Sequence, residues 1–209
     1  MLTQDIIKHI KDDIITSKFP PGKRIVEAQI CRDLGVGRSR VREALRHLEQ
    51  EDFIRRIPNA SPFVKALSQK DIAQIYDLMG VLEGLSVRIA ASTINAKELR
   101  KIEGFINSME KYQNDKFKVF HYNYKFHQYL TELGGNPRLI SFVNLIRAQA
   151  SRMSLQSFYN PEQIRSSLLE HRKIFNALGK GQASRAENYI RAHYLTSKNR
   201  LIKYINSTL

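Results

Sequence analysis

Three histidines in the second half of the chain, His127, His171 and His193, each fall on an apolar stripe with helical spacing. His127 keeps company with Phe120, Tyr124 and Leu130; His171 with Ile164, Leu168, Phe175 and Leu178; His193 with Ala186, Ile190, Ser197 and Leu201. Side chains so placed turn inward, and a buried imidazole needs a polar partner. Taken singly, each is a core histidine bonded to a carbonyl or a hydroxyl. Taken together, on three helices of one bundle, they form a ligand set for a first-row divalent ion, Zn²⁺ foremost, with Ni²⁺ or Mn²⁺ as alternatives. Asn123 stands one helical turn before His127 and shares its face, so its amide oxygen can supply a fourth contact. A metal with an open position can also activate water. The acid beside these ligands in sequence is Glu170, and neighbours on a helix diverge by about 100°, so Glu170 is expected to point away from the ion. The residues favour a sensing or structural metal, and the chain is read as not an enzyme.

A second group lies near the N-terminus. Between Val36 and Leu48 there are four arginines, Arg38, Arg40, Arg42 and Arg46, against one acid, Glu43. The planar guanidinium fork matches guanine edges and phosphate oxygens. Ser39 sits among them, and Arg55 and Arg56 follow where a hairpin begins. A solvated basic face on an ordinary helix is the plain alternative. The order of elements decides against it: helix, short turn, helix, hairpin is a winged helix-turn-helix, whose second helix reads DNA from its N-terminal end. Arg38, Ser39, Arg40, Arg42, Arg46 and Arg56 are therefore the candidate DNA-binding residues.

The elements that must position these groups follow from periodicity and breakers. Ile6, Ile7, Ile10, Ile14 and Ile15 predict a helix over 3–17, ended by Phe19-Pro20-Pro21-Gly22. Val26 to Leu34 and Arg38 to Glu51 read as two helices around the turn Gly35-Val36-Gly37. Phe53 to Ile57 and Phe63 to Ala66 flank Pro58-Asn59-Ala60-Ser61-Pro62, a candidate β-hairpin. From Ser68 onward helices are expected over 69–93, 95–113, 116–134, 137–159, 161–179 and 182–206. The expected architecture is mainly α: a winged helix-turn-helix with a small β-hairpin wing over 1–67, then an all-α helical bundle over 68–209 that carries the three histidines.

Composition agrees. The 209 residues carry 34 Lys and Arg against 20 Asp and Glu, a formal net charge of +14, which points to nucleic acid or another acidic partner. One cysteine, Cys31, precludes an internal disulfide and fits a reducing compartment. No apolar run is long enough to span a bilayer, and the amphipathic N-terminus lacks a signal-peptide core, so a cytoplasmic location is expected.

The stretch PPGKRIVEAQICRDLGVGRSRVREALRHLEQEDFI resembles the DNA-binding domain of the GntR family of bacterial regulators, and the likeness extends over residues 4–66. It implies DNA contacts by Arg38, Arg42 and Arg46 and a hairpin tip that enters the minor groove. The family usually has glycine where Ser61 stands, followed here by Pro62, which implies a stiffer tip. The helical remainder resembles the ligand-binding FCD domain of the FadR subfamily. Many FCD domains hold a metal through Asp, often Asn, four residues before the His of a Phe-His pair, with two later histidines; the matching positions are Asn123, His127, His171 and His193. Asn in place of Asp removes a negative charge, which implies weaker metal binding or more reliance on an anionic ligand. A family arginine associated with carboxylate effectors corresponds to Met79, counted back from Leu82-Glu83; Arg147 and Arg152 on the 137–159 helix are the candidates to substitute for it, though spacing alone reads them as surface charges. The resemblance implies a transcriptional regulator, more commonly a repressor, binding an inverted-repeat DNA operator as a homodimer under control of a metal or of a small-molecule effector such as a carboxylate. A DNA-architectural protein without effector is the alternative, and the inward histidines count against it.

Overall fold

The computed structural model of the chain describes residues 1–57, 60–154 and 160–208. Pro58 and Asn59, at the centre of the expected hairpin turn, and 155–159, at the end of the helix expected over 137–159, lie outside the described residues. The chain divides into two compact units, Met1–Ser68 and Gln69–Leu209.

In the first unit α1 (Thr3–Ile15), α2 (Glu27–Leu34) and α3 (Arg38–Gln50) are followed by β1 (Ile54–Arg55) and β2 (Phe63–Val64). The isoleucine stripe of α1 is buried at Ile6, Ile7, Ile10 and Ile14, and meets Val41, Ala44, Leu45 and Leu48 of α3. Burying a side chain of this size is worth about 1.5–3 kcal/mol, so this seam is a main source of the unit's stability. Gly35 closes α2 in the left-handed region, φ 62°, which a Cβ would disfavour, and this sets the turn into α3. The strands pair antiparallel, Ile54 opposite Val64 and Arg55 opposite Phe63. Lys23 to Ile25 runs along the other edge of β2, with Ile25 N–H donating to Pro62 O at 2.7 Å and Val64 N–H to Lys23 O at 2.9 Å.

The second unit contains α4 (Gln69–Ala90), α5 (Ala96–Lys111), α6 (Lys116–Leu133), α7 (Pro137–Ser154), α8 (Pro161–Gly179) and α9 (Ala183–Thr208). Local chemistry fixes several starts. The Asn95 and Glu98 side chains form a reciprocal capping box on α5, Asp115 accepts from Phe117 and Lys118 N–H on α6, and Asn160 with Pro161 opens α8. Helix α4 packs against α6, α7 and α9. At the end of α6 a Cβ on Gly134 would come within 3.0 Å of Ser86 Cα, so glycine there lets α6 close on α4. No described helix is long and apolar enough to cross a membrane.

Candidate metal centre and nucleic-acid interface

His127 on α6, His171 on α8 and His193 on α9 converge in the second unit. All three are buried, and one possible ligand atom from each lies within 4.8 Å of the others. Two are held by carboxylates. His127 Nδ1 lies 2.5 Å from Glu83 Oε1 and His193 Nδ1 lies 2.7 Å from Glu170 Oε2. An ionised carboxylate only accepts, so each Nδ1 donates to it, which in the neutral ring leaves the lone pair on Nε2. Both ring nitrogens of the fully buried His171 lack a hydrogen-bond partner among the described residues, and so does the buried Oδ1 of Asn123. These orphaned atoms and oriented imidazoles are what a metal site requires of its ligands and their supports. Burial holds the His127 and His171 rings below the ordinary imidazole range, strongly so for His171, which keeps them in the neutral, ligating form. The residues fit a divalent ion: one possible ligand nitrogen from each of three helices lies within 4.8 Å of the others, the donor set that a first-row metal takes.

The supporting carboxylates are themselves paired. Glu83, wholly buried on α4, accepts from Arg147 Nη2 at 2.8 Å and from the Tyr194 hydroxyl at 2.9 Å. Burial pushes the Glu83 carboxyl up, but the Arg147 guanidinium and the hydrogen bonds from His127 and Arg147 outweigh it and hold it below the usual carboxylate range. Arg147 also donates to His127 O at 3.1 Å and to Thr131 Oγ1 at 2.5 Å. Glu170 accepts from Arg200 Nη2 at 2.6 Å. Beside the histidines is a cavity of about 70 Å³, lined among others by Met79, Asn123, Tyr124, Arg147 and Arg200. A single water needs about 10–15 Å³ on this measure, so the cavity has room for a few water-sized groups.

In the first unit Arg38, Ser39, Arg40, Arg42 and Arg46 are all exposed on α3, and Arg56 is exposed after β1. At about 100° per residue, Arg38, Ser39, Arg42 and Arg46 share one flank, away from the buried Val41, Ala44, Leu45 and Leu48. Arg40 falls on the other flank, where its Nη1 donates to Met1 O at 3.2 Å. Arg56 and Arg38 line one recess with Glu27 and Ser61. Arg42 Nε bonds Glu27 Oε2 at 2.9 Å, and Arg56 Nε lies 3.5 Å from Glu49 Oε2. Both acids must yield for those arginines to meet phosphate or a base.

Comparison with known proteins agrees with this architecture. Residues 2–64 match the bacterial regulatory proteins of the gntR family, and residues 74–196 match the FCD domain. The chain belongs to the GntR family and carries an FCD domain. It is 27% identical over 188 residues to the uncharacterized HTH-type transcriptional regulator YdhC of Bacillus subtilis (strain 168), spanning 88% of this chain and 84% of that one. It is 24% identical over 196 residues to the HTH-type transcriptional repressor RspR of Escherichia coli (strain K12), spanning 92% and 85%. Its fold matches E. coli McbR/YncC with a TM-score of 0.85 at 17% identity, over 97% of this chain and 98% of that one. The chain is a transcriptional regulator, not an enzyme.

The FCD domain corrects two expectations. Arg147 and Arg152 are not surface charges; they are 5% and 6% exposed, and Arg147 is the counter-ion of Glu83. Glu170 does not simply point away: it diverges from His171 yet reaches across to α9 and fixes His193. Glu83 appeared in the sequence only as a landmark beside Leu82. Its signal was a charge on the buried stripe of Ile72, Tyr76, Met79 and Val87, and Arg147 gave the same signal on the stripe of Leu139, Val143 and Ala150.

Proposed function

We propose that this GntR-family regulator is a cytoplasmic repressor that binds an inverted-repeat operator as a homodimer. Its DNA affinity is set by a divalent metal ion, Zn²⁺ foremost, and a small effector in the FCD domain. Asn123, His127, His171 and His193 are the metal ligands; Arg38, Ser39, Arg42, Arg46 and Arg56 meet the DNA, with Arg40 at the edge of that surface. The observation that carries the sensing role is the His171 ring, fully buried with both nitrogens unpartnered among the described residues, beside two imidazoles already oriented by carboxylates. Such an arrangement is costly unless something binds it.

Regulation requires that metal and effector prefer one arrangement of the dimer over another, since a ligand with equal affinity for both shifts nothing. The name of RspR supports the repressor role. A dimer is supported by exposed apolar stripes on two helices that pack side by side: Leu78 and Val81 on α4, and Phe142 and Leu145 on α7. The test is elemental analysis of protein purified without chelator, followed by operator binding before and after chelation. About one equivalent of metal per chain and a chelator-dependent change in operator affinity are expected. Protein that binds no ion even when Zn²⁺ is supplied overturns the sensing role.

A further inference from the structure

The positive charge of the chain is not concentrated where operator reading alone would put it. Residues 1–68 hold 13 Lys and Arg against 9 Asp and Glu, and residues 69–209 hold 21 against 11, so the helical unit carries the larger excess. Part of that charge is matched within the unit, Arg147 by Glu83, Arg200 by Glu170 and Arg172 by Glu110. The stretch 111–131 is different: it has four lysines and one acid, Asp115. Tyr112 at the end of α5 and Tyr122 on α6 stack there, ring centres 5.9 Å apart and planes 5° from parallel. Three exposed lysines surround the stack. Lys118 Nζ lies 4.5 Å and Lys111 Nζ 5.3 Å from the Tyr112 ring centre, and Lys125 Nζ lies 6.0 Å from that of Tyr122. A ring face restrains an ammonium group without neutralising it. Lys111 and Lys125 enter no ion pair among the described residues. Asp115 is 3.5 Å from Lys118, while its Oδ1 caps α6 by accepting from Phe117 and Lys118 N–H. Burial and the Lys125 charge together hold the neighbouring His121 ring below the ordinary imidazole range, the sign that a positive surface gives. Farther along α6, Tyr129 has Glu98 and Glu132 as neighbours, so the patch ends before it.

We infer that the lysine–tyrosine patch at the α5–α6 turn is a second docking surface for DNA, one that takes the phosphate backbone of a duplex without reading its sequence. The inference goes beyond operator reading and is independent of the metal centre. Its charge comes from lysine alone, since 111–131 contains no arginine. A lysine ammonium is a point charge that suits phosphate, whereas the arginine fork is what reads a base edge. Tyr112 and Tyr122 use their faces on one another and on lysine, so the pair offers no open platform for an unstacked base, and a single strand is the poorer fit. An anionic bilayer takes an apolar helix face as well as charge, and the apolar face of α6, with Val119, Phe126 and Leu130, is buried in the bundle. The gntR domain already brings the chain to DNA, so a second phosphate surface on the same chain meets that polymer at high local concentration.

The test uses the full-length protein and a labelled random-sequence duplex, with affinity read by fluorescence anisotropy across a salt series. Each phosphate contact contributes about 0.9 to the slope of log affinity against log salt. The triple variant Lys111→Gln, Lys118→Gln, Lys125→Gln is expected to bind on the order of tenfold more weakly than wild type at low salt and to lose about 2–3 from the slope. A control variant, Lys97→Gln, Lys180→Gln, Arg185→Gln, removes the same charge from exposed positions at the start of α5, after α8 and at the start of α9. It should lose less than about threefold in affinity and less than about 1 from the slope. Helical content and melting temperature equal to wild type separate a lost contact from a lost fold. If the triple variant fails to fold, Lys125→Gln alone decides, with an expected loss of about 0.9 from the slope. A patch variant with the slope of wild type overturns the inference. A control variant that loses as much as the patch variant also overturns it, because net charge and not this surface would then govern the affinity. Vesicles of phosphatidylglycerol that retain wild type and release the patch variant, with the duplex slope unchanged, would assign the surface to a membrane instead.

Discussion

His171 is the residue on which the metal centre can be judged most directly. Its ring is fully buried and meets no hydrogen-bond partner among the described residues. An unpaired buried polar group costs about 1–3 kcal/mol, a cost the chain carries only while no ligand is bound. Replacing it by an apolar side chain of similar size removes that cost and the ligand together. His171→Leu, stripped of metal by chelator, is therefore expected to melt at or above the temperature of stripped wild type, by up to about 2–4 °C per kcal/mol recovered. Adding Zn²⁺ should raise the melting temperature of wild type and leave the variant unmoved, because a ligand stabilises only a folded state that binds it. A stripped variant that melts several degrees below wild type would show that the imidazole is a structural core residue. The histidines themselves were legible in the sequence as polar residues on apolar stripes. Their carboxylate supports were not, because Glu83 pairs with Arg147 across 64 positions and nothing local encodes that pairing.

At the scale of the element, α3 separates residues that composition groups together. The five candidates between Arg38 and Arg46 look alike in sequence, yet helical rotation places Arg42 on the flank of Arg38, Ser39 and Arg46, and Arg40 on the opposite one. A bidentate arginine–base contact is worth about 1–3 kcal/mol of discrimination. Arg42→Ala is expected to lower specific operator affinity by about 5–150-fold with the helical content unchanged, and Arg40→Ala by less than about threefold, as read by fluorescence anisotropy on a labelled operator. Equal losses at both positions would mean that α3 does not meet DNA along the flank described. The helices were legible because their signals are local: Asn95 with Glu98, Asp115, Asn160-Pro161 and Gly35 mark boundaries through contacts within a few residues. Lys23 to Ile25 was not legible as a partner of β2, since that pairing joins segments about forty residues apart through backbone atoms that carry no side-chain pattern.

At the scale of the molecule, one recognition helix touches too few base pairs for useful specificity, and a two-fold dimer doubles the site it reads. The outward stripes of α4 and α7 are where a second copy of the FCD domain would bury apolar area. Leu78 and Val81 are each 49% exposed, Phe142 61% and Leu145 43%. None of the four lines the histidine cavity, so the proposed dimerisation and the proposed metal binding can be tested by separate mutations. Val81→Asp combined with Phe142→Asp puts a charge into each stripe, which an apolar interface cannot accept without large desolvation cost. Sedimentation equilibrium is expected to show wild type as a dimer and the double variant as a monomer, with Co²⁺ stoichiometry per chain unchanged. Operator affinity should then fall by at least about tenfold, with a shallower dependence on salt, because a monomer engages fewer phosphates. A double variant that remains dimeric would place the interface elsewhere. One that becomes monomeric but keeps full operator affinity would show that a single winged helix suffices, and the inverted-repeat operator would have to be abandoned.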